Sequence, residues 1–150
     1  MIAIVFVSCD QDQNVVQNAN PEIFPKGEII NMSSFVGTAW LTRLVSADSM
    51  NFNSVGSVTF ETGARTDWHY HPAGQIILVL GGVGYYQEKD SKKRILRKGD
   101  AIKCPPDVPH WHGASADEEF VQIAITGRKN GPTVWLDRVS DEEYGSEDIE

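Results

Sequence analysis

Short strand-like segments, broken at close intervals by Gly and Pro, constrain the fold of this 150-residue chain most strongly. Val, Ile, Thr and aromatic residues, which favour strands, dominate these segments. The clearest alternation lies in 119–126, where Val121, Ile123 and Ile125 share one face. The candidate strands are 35–45, 55–61, 67–71, 75–80, 83–88, 93–96, 101–104, 109–112, 118–126 and 132–137. This spacing predicts an all-β sandwich or barrel.

The breaks between the segments carry turn residues. Pro72-Ala73-Gly74, Lys98-Gly99-Asp100 and Pro105-Pro106-Asp107 are typical of tight turns. Gly81-Gly82, followed by Gly84, is interpreted in the same way, as a hairpin turn between two strands. No stretch between 35 and 137 sustains a helical period, so we expect one β domain, over residues 21–140.

Composition and charge exclude several classes of protein. The net charge of -8 argues against a nucleic-acid-binding surface, which needs a basic face. Two cysteines exclude a disulfide-dense scaffold and multi-cysteine zinc modules. Residues 141–150 carry six acids and no base, and are interpreted as an acidic, solvated tail. Seven bases lie between 88 and 103, and are solvated surface or, alternatively, a patch that attracts anionic substrates.

The N-terminal segment, residues 1–20, has two interpretations. Six apolar residues precede Ser8-Cys9, which resembles a bacterial lipobox, and a polar linker follows. The segment lacks a basic region, and its apolar run is shorter than the 7–15 residues of a signal peptide. It is therefore either a remnant of such a signal or a short strand with an ordinary Cys9. We therefore expect either a bacterial cytoplasmic protein or, with Cys9 lipidated, an anchored periplasmic one. No apolar run reaches the ~20 residues of a membrane-spanning helix.

All four histidines of the chain lie in two H-x-H pairs, His69-Tyr70-His71 and His110-Trp111-His112. Residues two apart on a strand point to the same face, so each pair presents two imidazoles side by side. After the first pair, a turn brings the Gln75 carboxamide towards the same point. Imidazole is the commonest protein ligand for divalent first-row metals. Two facing strands with such pairs predict a metal site with three or four ligands.

The spacing around these histidines resembles the two motifs of the cupin family. Residues 63–82, GARTDWHYHPAGQIILVLGG, fit the first motif with Gln75 where the family usually has Glu. Residues 99–114, GDAIKCPPDVPHWHGA, fit the second motif. The resemblance implies a double-stranded β-helix, that is, a jelly-roll barrel. It also implies one divalent ion bound by His69, His71, Gln75 and His110, and a homodimer.

A subset of small cupins is more similar still. Residues 58–75, the segment HWHGA (110–114) and residues 139–144 resemble bacterial cupin-type hydroxynitrile lyases, which are manganese-dependent. Neutral ligands leave a divalent ion its full charge, which suits Lewis-acid chemistry on a small molecule better than oxygen activation. Manganese is therefore expected first, with iron, zinc or nickel as alternatives. An iron-dependent cupin dioxygenase and a non-catalytic ligand-binding or sensor cupin stay open.

The lyase hypothesis assigns roles to four further residues. His112 is the candidate base, since it shares a strand face with His110. The alternative is that His112 takes no part in the reaction and either supports the ligands from behind or faces solvent. Gln122 lies on the strand face of Ala124 and Thr126, which we expect to be turned into the barrel. Thr66 and Arg65 precede the first pair and are candidate substrate contacts. Arg65 has an alternative as the partner of an acid.

Overall fold

Twelve β-strands and one short helix make up residues 23–150, the part of the chain that the computed structural model describes. The strands are β1 (Glu28–Ile29), β2 (Phe35–Val36), β3 (Ala39–Val45), β4 (Asn53–Phe60), β5 (Arg65–Thr66), β6 (His69–Tyr70), β7 (Gln75–Glu88), β8 (Arg94–Arg97), β9 (Ala101–Cys104), β10 (His110–Ala114), β11 (Phe120–Gly127) and β12 (Val134–Trp135), and the helix is α1 (Asp141–Gly145). The prediction of an all-β fold is confirmed. The N-terminal segment with Cys9 lies outside the described residues. Within them, no helix is long and apolar enough to cross a membrane.

The strands pair antiparallel in the order β1-β3-β4-β11-β7-β10-β5-β2. The long strand β7 belongs to both halves of this curled sheet. Its first part pairs with β11 and β9, and its second part pairs with β10 and β8. Side chains from both halves, among them Phe60, Ile77, Tyr86 and Phe120, pack into one buried core. The cupin-type barrel follows from this exchange of partners along β7.

Gly81 and Gly82 lie inside β7, so the predicted hairpin turn between 75–80 and 83–88 is wrong. Gly82 has φ +70°, and two residues before it Leu80 is bulged, because the register of β7 against β11 shifts between Val121 and Gln122. A Cβ on Gly82 would also clash with the backbone oxygen of Glu119. A positive φ beside a bulge and a tight turn both favour glycine, so a pair of glycines in the sequence is typical of either.

Gly82→Ala is expected to lower the free energy of unfolding by about 2–4 kcal/mol, because the alanine meets both the positive φ and the clash. Gly81→Ala is the matched control, since a Cβ there meets nothing within 4 Å. The control should cost less than about 1 kcal/mol. Urea unfolding of both variants measures the difference. Equal losses at the two positions would contradict this account of the bulge.

The predicted acidic tail docks against the barrel. Ser140 caps α1, and its hydroxyl oxygen accepts from the Glu143 amide while the Glu143 carboxylate accepts from the Ser140 amide. Tyr144 of α1 packs with Trp68, Trp111 and Val139, and its hydroxyl donates to the Ala114 carbonyl at 2.9 Å. Five residues are too short for a helical period, which is why the sequence shows no helix here.

Part of the basic segment is the docking surface for this C-terminal segment. The buried Lys93 donates from Nζ to the Tyr144 carbonyl at 2.6 Å, and Lys92 pairs with Asp148 at 3.5 Å. The acidic C-terminal segment and the basic segment therefore contact each other through a hydrogen bond and an ion pair, and their other charged side chains lie on the surface.

Tyr144→Ala should lower the free energy of unfolding by about 2–3 kcal/mol, because it removes the aromatic packing of α1 together with one hydrogen bond. Tyr144→Phe, which loses the hydrogen bond alone, should cost about 1 kcal/mol. Glu142→Ala is the control within α1, since this side chain is exposed. Thermal unfolding of the three variants gives the order. A Tyr144→Ala variant as stable as the control would show that α1 is not held by this contact.

Candidate metal centre

Three of the four histidines converge between β6 and β10. His69 and His110 are directly paired in the antiparallel register of these strands, and His71 follows β6 on the same face as His69. One ring nitrogen from each of His69, His71 and His110 lies within 4.8 Å of the others, and all three side chains are buried. This cluster could hold a metal ion, as the H-x-H spacing predicts.

In each of the three rings, Nδ1 lies within hydrogen-bond distance of an oxygen atom. Nδ1 of His69 lies 2.9 Å from the Asp67 carbonyl, and Nδ1 of His110 lies 2.9 Å from the Val108 carbonyl. A carbonyl only accepts, so in both rings Nδ1 carries the proton and donates it. Nδ1 of His71 lies 3.1 Å from Oγ1 of Thr133. This arrangement leaves Nε2 with its lone pair free to bind a metal.

Two of the Nε2 atoms have no other partner. Nε2 of His71 and Nε2 of His110 are buried and make no hydrogen bond among the described residues. A buried polar atom without a partner costs free energy, so its presence in both rings points to a ligand at this position. The donor set therefore fits a divalent ion.

The three imidazoles are neutral at physiological pH. Burial, reinforced by the nearby His110, holds the pKa of His69 well below its ordinary value, and the same two causes lower the pKa of His71 to about 3. Burial also lowers the pKa of His110. The neutral ring is the form that binds a metal, because the imidazolium has no free lone pair.

Gln75 begins β7 beside this cluster, and its side chain is buried. The Nε2 amide group donates to Oγ1 of Thr126 at 2.9 Å, which fixes the orientation of the carboxamide. The amide oxygen accepts a long contact of 3.9 Å from the Cys104 thiol. Gln75 can therefore offer a neutral oxygen, whereas a glutamate here would bring a charge.

A cavity of about 1110 Å³ opens beside the cluster, inside the curled sheet. Its wall includes His71 and Gln75 together with three of the predicted site residues, Thr66, His112 and Gln122. Apolar side chains complete the wall, among them Phe35, Leu41, Val58, Phe60 and Trp135. The space suits a small organic molecule next to a metal centre.

Gln122 and His112 carry unused polar atoms on this wall. The Gln122 side chain is fully buried, and neither its Oε1 nor its Nε2 has a hydrogen-bond partner among residues 23–150. Nδ1 of His112 is likewise buried and unpartnered. The His112 ring lies 5.3 Å from the His69 ring, and its edge meets the Phe60 ring. Both side chains are placed to contact a molecule in the cavity.

Thr66 and Arg65, the other two predicted contacts, lie in different places. The Thr66 hydroxyl bridges to the backbone of His112, at 3.2 Å from both its nitrogen and its oxygen. Arg65 does not line the cavity. Its buried guanidinium donates to Asp141 at 2.6 Å and to the Val139 carbonyl, with Tyr144 stacked against it. Arg65 therefore pairs with an acid, which was the alternative to a substrate contact. Neighbouring residues of a strand face opposite ways, so Thr66 faces the cavity and Arg65 faces away from it.

Two polar residues of the site carry no sequence signal. Thr133 follows Gly131-Pro132 in the loop before β12, and Arg128 follows the end of β11. Arg128 donates from Nη1 to the Thr133 hydroxyl at 3.1 Å, and that hydroxyl contacts His71. Only the folding of this loop over the cavity brings them to the histidines.

Comparison with known proteins agrees with this fold. Residues 56–126 match the model of the cupin domain. Over 111 residues the chain is 38% identical to an (R)-mandelonitrile lyase from Granulicella tundricola, a match that covers 73% of this chain and 85% of that protein. The chain belongs to the cupin family.

Solved cupin structures support the same assignment. A cupin-like protein from Thermotoga maritima is 46% identical and superimposes with a TM-score of 0.79, over 82% of this cupin and 94% of that chain. A cupin 2 conserved barrel domain protein from Rhodopseudomonas palustris has a TM-score of 0.63 at 11% identity, over 77% and 78% of the chains, and shows the fold alone.

Proposed function

We propose that this cupin is a metal-dependent lyase that cleaves and forms small cyanohydrins. The observation that carries the proposal is a neutral, buried histidine cluster beside a cavity whose wall includes His71 and the unpartnered polar atoms of His112 and Gln122. The 38% identity to an (R)-mandelonitrile lyase supports the reaction class.

In this proposal the imidazoles of His69, His71 and His110 and the amide oxygen of Gln75 hold one divalent ion, manganese by resemblance. When bound, such an ion polarises a substrate oxygen and stabilises the anionic charge that develops during cleavage. All four ligands are neutral, so the ion keeps its full charge. The glutamate that is usual at position 75 in the family would cancel part of the ion's charge, whereas Gln75 does not.

His112 takes the proton. Burial, together with the neighbouring His110, holds its pKa well below the ordinary value, so the ring is neutral and Nδ1 can accept. The cyanohydrin hydroxyl gives its proton to Nδ1 of His112, its oxygen becomes the carbonyl oxygen, and the bond to the nitrile carbon breaks. The electron pair of that bond leaves with cyanide, which then takes the proton from His112. The Gln122 amide offers a donor and an acceptor to the substrate.

Cleavage of (R)-mandelonitrile in a sealed, oxygen-free cuvette tests this proposal, with benzaldehyde absorbance as the readout. Manganese-loaded protein should exceed the rate in buffer, lose that excess after chelation and regain it when manganese is returned. In a separate, aerated assay, oxygen consumption by the iron-loaded protein would instead identify a dioxygenase. Metal-loaded protein that releases benzaldehyde no faster than buffer would contradict the lyase proposal.

The outer face of β7 and β11 supports a homodimer, as the resemblance implies. Ile76 and Leu78 point away from the core formed by Ile77 and Val79, and both are exposed. Their cross-strand neighbours, Ile125 and Ile123, extend the apolar face. We expect light scattering after gel filtration to give twice the chain mass of 16.6 kDa, and Leu78→Glu to give the monomer. A monomeric wild-type protein would contradict this assembly.

A further inference from the structure

Two arginines line the cavity whose wall includes His71 of the histidine cluster. Arg43 and Arg128 are both on its wall, where Glu28 is the only carboxylate among the described residues. Within residues 23–150, neither arginine forms an ion pair. The cavity therefore concentrates positive charge in an acidic protein.

The two arginines lie at the same end of the cavity. Arg43 of β3 is paired in register with Gly56 of β4. Arg128 donates from Nε to the hydroxyl of Ser54, two residues away on the same strand and the same face. Both side chains are exposed in part, as expected at a cavity opening. The strand positions of Arg43 and of Ser54, the partner of Arg128, thus place both arginines at one end of the cavity wall.

Arg128 also connects this entrance to the metal centre. Its Nη1 donates to Oγ1 of Thr133 at 3.1 Å, and Oγ1 lies 3.1 Å from Nδ1 of His71. The bonds to Thr133 and Ser54 use two of the five guanidinium N–H groups. The other three, on Nη1 and Nη2, make no hydrogen bond within residues 23–150. A planar fork of this kind matches the two oxygens of a carboxylate.

We propose that the cavity selects a small organic anion whose carboxylate binds to Arg128, with Arg43 at the same end of the cavity. The apolar wall formed by Phe35, Val58 and Trp135 would hold the carbon skeleton. The end remote from the carboxylate bears an oxygen that reaches the histidine cluster and the unpartnered amide of Gln122. The natural substrate thus carries a carboxylate in addition to the reacting group. This inference rests on the proposed function for the chemistry at the end of the substrate next to the histidine cluster.

Binding of matched acids and amides tests the inference without any turnover. Acids with a hydroxyl at the end remote from the carboxylate, such as 3-hydroxypropionate, 4-hydroxybutyrate and 5-hydroxyvalerate, each have a neutral amide of nearly the same shape. Calorimetry on manganese-loaded protein should give at least one acid that binds ten-fold or more tightly than its amide, with a preference that weakens as salt rises. If no acid binds more tightly than its amide, the inference is wrong.

Arg128→Gln should remove most of that preference and leave amide binding within two-fold. Arg128→Lys should restore part of it, because the charge returns without the planar fork. Arg97→Gln, on the exposed surface of β8, is the matched control and should change nothing. If the acid preference survives in Arg128→Gln, the carboxylate binds elsewhere, for instance directly to the metal, and the inference is overturned.

Thr133→Val separates direct binding from an indirect effect through His71. This variant removes the hydroxyl that joins Arg128 to His71 but keeps the guanidinium. The acid preference should persist in it, and metal content measured on every sample shows whether the centre is intact. If Thr133→Val loses the preference as Arg128→Gln does, Arg128 acts by positioning His71 and not by binding the anion. Absence of mandelonitrile cleavage with a retained acid preference would refute the lyase proposal alone.

Discussion

His110→Ala is expected to reduce bound manganese from about one ion per chain to background, the largest effect that the structure predicts. His110 contributes a buried, unpartnered Nε2 to the cluster, and its loss leaves two imidazoles and one weak amide oxygen. The measurement is metal content by mass spectrometry after loading and gel filtration. Circular dichroism on the same samples shows that the barrel still forms.

The matched control for this experiment is His112→Ala. The two histidines lie two residues apart on the same strand, have the same chemistry and are both buried, but only His110 belongs to the three-histidine cluster. The control should therefore keep its manganese. Equal losses in the two variants would show that the metal, if bound, does not use the cluster assigned here.

The second large effect concerns the proton acceptor. His112→Phe should lower kcat/KM for mandelonitrile cleavage by about 10²–10⁴-fold, the usual contribution of a general base. Phenylalanine replaces the ring with one of similar shape, which preserves the contact with Phe60 but removes Nδ1. Manganese content should stay at the wild-type value. Steady-state rates and metal content are measured on the same preparation.

Two outcomes would contradict this role. A variant with near wild-type kcat/KM would mean that another group, or water, takes the proton. A variant that also loses its metal would make His112 a ligand, and the fall in rate would then say nothing about proton transfer. Val58→Ala is a suitable control, because it changes the wall of the same cavity without removing a polar atom.

Much of this fold and centre is predictable from local pattern. Strand alternation depends on neighbours in sequence, so the β-segments from 35 to 137 emerge from it. The pairing of His69 with His110 follows from two H-x-H spacings on strands that face each other. Gln75 is found because a fixed turn follows His71.

The features missed by the sequence analysis depend on contacts between distant residues. Gly82 looks like a turn residue until β11 is placed beside it, where the close approach of Glu119 requires glycine. Arg65 points to α1 because its strand turns that face towards the C-terminal segment, 76 residues away at Asp141. Arg128 and Thr133 reach His71 only through the loop before β12. No periodicity or motif records such contacts.

The most direct test of the central claim, a divalent ion held by the histidine cluster, is a crystal structure of the manganese-loaded protein with anomalous data near the manganese edge. The account predicts one anomalous peak per chain, bound by Nε2 of His69, His71 and His110 and by the amide oxygen of Gln75. A peak at another position, or a fully loaded crystal with no peak at the cluster, would contradict it.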